Sequence, residues 1–117
     1  MDVCHVQSIP KGIFVELDHS FSASLSSLTH FKFQVGSGCP CNTMYITDLN
    51  KLHQVQIAPS IVRLHDYSII IPTKGQATLH CTHRRKSYRL IVQVITAQRY
   101  YSPLLDHANS LHMGILS

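Results

Sequence analysis

The clearest periodic signal in the chain is the stretch His30-Phe31-Lys32-Phe33-Gln34-Val35, where apolar and polar residues alternate strictly. A period of two puts Phe31, Phe33 and Val35 on one face of a half-buried β-strand. Gly36-Ser37-Gly38 then ends the strand in a tight loop. Upstream, Gly12 to Leu17 is rich in strand formers, and Asp18-His19-Ser20 reads as a turn. Residues Phe21 to Leu28 alternate loosely and suit a strand or a strand edge. Downstream, Cys41 to Ile46 reads as a short strand, followed by a helical turn over Thr47 to Leu52 with Thr47 as its N-cap.

Val62 to Leu64 and Ser68 to Ile71 form the arms of a hairpin around His65-Asp66-Tyr67, and Pro72 limits how far the second arm can pair. Gly75 opens a further strand. Gln76 to Cys81 and Ser87 to Ile95 are two long strands joined by the polar loop Thr82-His83-Arg84-Arg85-Lys86. After Pro103, the residues Leu104, Leu105, Ala108, Leu111 and Ile115 are spaced as the apolar stripe of one short helix, with Gly114 as its stop. Many short strands, frequent turns and one late helix predict an all-β domain closed into a small barrel or sandwich.

At 117 residues, with 44% hydrophobic and 14% charged positions, the chain suits one globular domain. No apolar run is long enough to span a bilayer, so no membrane partner is expected. The N-terminal residues lack a signal-peptide pattern, which makes an intracellular, cytoplasmic location the default expectation. In that setting the four cysteines, Cys4, Cys39, Cys41 and Cys81, are expected as thiols. Cys39-Pro40-Cys41 has one intervening residue where structural zinc sites use two to four, and alternation sends His80 and Cys81 to opposite faces. No metal and no other cofactor is therefore expected. The formal charge is +4. His83 to Lys86, with Arg89, is a basic cluster without a recognisable nucleic-acid module, and it reads most simply as a solvated hairpin tip.

Several motifs in one order carry a family resemblance. Phe33-Gln34-Val35-Gly36-Ser37-Gly38-Cys39 resembles the strand and Asp-Ser/Thr-Gly-Ala/Cys loop of a retropepsin-like aspartic protease from a Ty3/Gypsy-type retrotransposon. Asn42 to Leu52, Leu64-His65-Asp66-Tyr67, Ile71-Pro72-Thr73-Lys74-Gly75, Pro103-Leu104-Leu105-Asp106 and Leu111 to Ile115 are similar to the family's later motifs. The resemblance implies a small closed acid-protease barrel over residues 13–117, preceded by an N-terminal extension over 1–12. It further implies a homodimer, a former catalytic loop at Gly36, Ser37 and Gly38, and a flap at Tyr67, Ser68, Ile69, Ile70 and Ile71 whose backbone could hold an extended peptide.

Two departures from the family pattern matter. Gly36 stands where the catalytic aspartate belongs. Retropepsins activate water with two aspartates that share a proton across the dimer axis, and glycine supplies no ionisable group. Ser37 has no base beside it in this loop, so the chain as written should not cleave peptides. Asp106 stands where the family has Gly or Ser, and a carboxylate buried there is expected to open or repack its surroundings unless it is paired. Three readings follow: an inactive retropepsin-like domain from a retroelement, retaining peptide binding; an active aspartic protease whose aspartate is replaced in this chain; and a small basic nucleic-acid-binding β-barrel.

Overall fold

The computed structural model describes residues 3–5, 14–20, 28–35, 41–52, 55–66, 69–96 and 103–115. Among these described residues nine strands and two short helices follow in chain order: β1 (Val3–His5), β2 (Phe14–Ser20), β3 (Leu28–Val35), β4 (Asn42–Tyr45), α1 (Ile46–Leu49), β5 (Arg63–Asp66), β6 (Ile69–Ile71), β7 (Thr73–His83), β8 (Lys86–Ile95), β9 (Leu104–Leu105) and α2 (His107–His112). Six strands close a barrel in the order β2-β3-β9-β4-β8-β7, and β1, β5 and β6 form a separate three-stranded sheet. The expected all-β closed barrel with a short C-terminal helix is therefore the observed architecture.

Alternation fills the barrel. Phe31, Phe33 and Val35 of β3 are buried, as are Ala77, Leu79 and Cys81 of β7 and Leu90, Val92 and Val94 of β8, and these meet Met44, Leu49, Leu105 and Met113 in one core. A second cluster of Tyr45, Leu64, Ile71, Ile95 and Leu104 joins the small sheet to the barrel. β4 is buried along its whole length because β8 pairs with it on one side, β9 on the other, and a core lies on each face.

Several local expectations are corrected. Asp18, His19 and Ser20 continue β2 rather than turning, because they pair with His30, Thr29 and Leu28 and then with β7. Ladder pairing outweighs their turn propensity. Helix α1 begins at Ile46 with Tyr45 as N-cap and no side-chain capping bond, so Thr47 lies inside the helix. The arm expected at Val62–Leu64 extends through Asp66, with Leu64, His65 and Asp66 opposite Ile71, Ile70 and Ile69. The loop expected over Thr82–Lys86 shrinks to two residues. Arg84 and Arg85 have φ of 50° and 66°, and His83 pairs with Lys86 across them. Two consecutive residues at positive φ form the tight turn whose twist matches a hairpin.

The C-terminal apolar stripe is also redistributed. Leu104 and Leu105 form β9, paired in parallel with Gln34 and Val35 of β3, and α2 starts only after Asp106. Its buried face carries Ser110 and Met113, while Leu111 is exposed. Gly114, at φ 73°, does stop the helix. Ile115 N–H donates to Ser110 O at 2.9 Å and Gly114 N–H to Leu111 O at 3.1 Å, a Schellman closure. Cys81 is a buried thiol, but Cys41 is disulfide-bonded, against the expectation of thiols throughout. It immediately precedes β4, half-buried against the second cluster.

Candidate peptide-binding cleft

Two strand ends frame the loop that carries Gly36, Ser37 and Gly38, which lies outside the described residues. On one side Val35 ends β3 opposite Leu105, and on the other Asn42 begins β4 opposite Val92. Polar bonds lock this frame from beneath. Asn42, 2% exposed, accepts a 2.7 Å bond at Oδ1 from Asp106 N–H and donates from Nδ2 to Ile91 O at 3.0 Å. Gln34 N–H donates to Pro103 O at 2.7 Å. The loop therefore leaves from and returns to strands fixed by both ladder and side-chain bonds.

Asp106 itself is 7% exposed, and its carboxylate is paired rather than bare. Its Oδ1 accepts from Asn109 N–H at 2.7 Å and from Asn109 Nδ2 at 2.9 Å, which makes it the N-cap of α2. Gly, Ser and Asp all favour this position, because each either frees the backbone or offers the helix's first N–H groups an acceptor. Relative to the Gly or Ser expected from the resemblance, Asp106 is thus chemically conservative. Capping supplies the pairing that burial demands.

β5 and β6 form the hairpin expected as a flap. Tyr67 and Ser68 lie outside the described residues, whereas Ile69, Ile70 and Ile71 make up β6. Ile71 is 2% exposed and packs with Leu64, Tyr45 and Leu104, so the hairpin's base is anchored to β4 and β9. A cavity of about 340 Å³ lies at this base between Val62, Arg63, Leu64, Ile71, Pro72 and Thr73. On the hairpin's far edge β1 pairs in parallel with β5, Val3, Cys4 and His5 opposite Arg63, Leu64 and His65.

The segment leading into β5 is tied down by contacts the sequence did not reveal. Ala58 and Gln76 exchange two 2.8 Å backbone bonds. Ser60 Oγ donates to Gln93 Oε1 at 2.6 Å and accepts from Val62 N–H at 3.1 Å, while Gln93 Nε2 donates to Gln76 Oε1 at 3.4 Å. A polar residue at the second position of an alternating strand looks like an ordinary outward residue. Only the partner strand shows that Gln93 is covered.

Among the described residues, no cluster of three or more His, Cys, Asp or Glu could hold a metal, and no helix is long and apolar enough to cross a membrane. His80 is exposed and Cys81 buried, on opposite faces of β7.

The sequence matches no family model and no curated protein. A solved structure described as EIAV protease complexed with the inhibitor HBY-793 superposes with a TM-score of 0.68, covering 91% of each chain at 9% sequence identity. This is a retropepsin-like fold. At that identity the likeness carries the architecture alone.

Proposed function

We propose that this chain is a catalytically inactive retropepsin-like domain, derived from the aspartic endopeptidase of a Ty3/Gypsy-type retroelement, that retains the capacity to hold an extended peptide. The observation that carries the reading is the pairing of a retropepsin-like fold with glycine at position 36. The signature loop runs between β3 and β4, yet the residue that should ionise has no side chain. Without a carboxylate neither water activation nor protonation of the leaving nitrogen has a donor or an acceptor. Binding needs less. An extended segment can add its backbone hydrogen bonds beneath the Tyr67–Ile71 hairpin without any acid–base group. The family resemblance adds a homodimer, in which two copies would face each other across Gly36, Ser37 and Gly38.

Substituting Gly36→Asp tests the reading, with mass in solution and acid-dependent cleavage of a peptide library as readouts. The unmodified chain is expected to show no cleavage. If Gly36→Asp is a dimer and cleaves at acid pH with inhibition by a statine-type transition-state mimic, the rest of the machinery is intact. That outcome favours the second reading, an active protease whose aspartate is replaced in this chain. A folded dimeric variant without cleavage supports a domain whose machinery has been lost more widely.

A further inference from the structure

We propose that the tip and outer face of the β7–β8 hairpin dock single-stranded nucleic acid, with Arg84, Arg85 and Lys86 of the tip and Arg89 of the outer face on the phosphates and the adjoining groove taking an unstacked base. This goes beyond the peptide-binding reading and does not rest on it. All four cations are exposed. From residue 67 to residue 105 the chain has six Lys and Arg and no Asp or Glu, although it contains six acids in all. This stretch of the chain is therefore rich in positive charge, and the acids that come near it from elsewhere, Asp18 opposite Thr82 and Asp106 in the groove wall, are fewer than its cations.

Register turns that composition into a surface. His80 lies opposite Arg89, and both are exposed, so their side chains share the outer face of the hairpin just below the Arg84-Arg85 turn. Arg89 then borders a groove of about 370 Å³, whose walls include Ile91, Gln93, Asp106 and Asn109. Ile91 is 44% exposed, an apolar wall next to a cation. Asn109 directs its Nδ2 to Asp106, which leaves its Oδ1 as an acceptor for an exocyclic amine of a base.

An acidic peptide would satisfy the cations but not the apolar wall beside them. An anionic membrane would need apolar side chains at the tip, where the exposed residues are Arg84, Arg85, Lys86 and Ser87. A polynucleotide matches both features, because it repeats an anion and a flat ring along one strand.

Fluorescence anisotropy with an oligodeoxycytidine of about 12 residues tests the proposal, since sites of this kind span roughly 4–16 nucleotides. With four phosphate contacts the slope of log K against log salt is expected near −3, falling to about −1.5 in the double substitution Arg84→Asn, Arg85→Gly. Asn-Gly is the preferred sequence for this turn, so the variant loses charge without losing the hairpin. Its affinity at low salt should drop about tenfold or more, while Lys51→Ser, which removes a cation already paired with Asp48 and outside the hairpin, should leave binding unchanged. Equal binding by the double variant and the unmodified chain overturns the proposal. So does equal affinity for a sulfated polysaccharide of matched charge, or tighter binding of the same sequence as a duplex.

Discussion

Asn42 and Asp106, 64 positions apart in the chain, meet through a 2.7 Å bond from the Asp106 N–H to the Asn42 side-chain oxygen. The same asparagine donates to Ile91 O, so one buried amide ties β4 to β8 and to the start of α2. Replacing it with Leu removes both bonds and leaves a buried N–H and a buried C=O unsatisfied. The expected cost is about 2–4 kcal/mol, measured as a shift in the urea midpoint with an unchanged slope. Asn42→Asp, which keeps the acceptor toward Asp106, should retain more stability if the geometry alone matters. The added carboxylate beside Asp106 works against it.

The helix cap at Asp106 gives a graded series. Asp106→Ala should destabilise by about 1–2 kcal/mol, whereas Asp106→Ser and Asp106→Gly should cost less than about 1 kcal/mol. Thermal melts of the three variants check the order. If Ala and Ser are equally damaging, capping is not what the carboxylate supplies.

Gly75 and Gly114 both have positive φ, of 133° and 73°, yet they should respond differently to alanine. A Cβ at Gly75 would collide with the Ala58 carbonyl, which bonds Gln76, while one at Gly114 meets nothing within 4 Å. Gly75→Ala is expected to cost about 3 kcal/mol or more, adding displacement of the 55–62 segment to backbone strain, and Gly114→Ala about 1 kcal/mol. Parallel denaturation curves compare them directly.

At the hairpin tip, Arg84 and Arg85 occupy conformations that L-residues with a Cβ disfavour. Arg84→Asn with Arg85→Gly should therefore raise stability by about 1 kcal/mol. Calorimetry of the double variant would show a higher melting temperature, and a lower one would mean that the arginines hold the tip by contacts of their own.

How much of this was legible in the chain depends on where each element gets its partner. Strand β3 and the β7–β8 hairpin were readable because alternation alone assigns Phe31, Phe33, Leu79 and Val92 to the core. The order of motifs around Gly36 carried the barrel. Three things were not readable. Leu104 and Leu105 look like the start of a helix until their parallel pairing with Gln34 and Val35 is seen, since two apolar residues have no period. Asp18 to Ser20 have turn chemistry and are strand only because β3 and β7 bracket them. Buried Gln93 and Ser60 form a bond whose members are 33 positions apart, which no local pattern encodes. In the candidate cleft, the motif reading supplied Gly36 and the hairpin, while the Asn42–Asp106–Asn109 frame beneath them emerged only from the assembled strands.

The seam formed by β9 has a further consequence for how the protein is made. β9 stands between β3 and β4 in the barrel, though it follows both by about 60 residues or more in synthesis, so those two strands lack their common neighbour until it emerges. Until residues 103–115 have emerged from the ribosome, Phe33, Met44 and Leu79 have no complete core to enter. Closure of the barrel must then wait for that emergence, with loop closure over a long span as its slow step and exposed strand edges as its hazard. Nascent chains of this barrel should therefore depend on holding factors in a way that a protein built from successive hairpins would not.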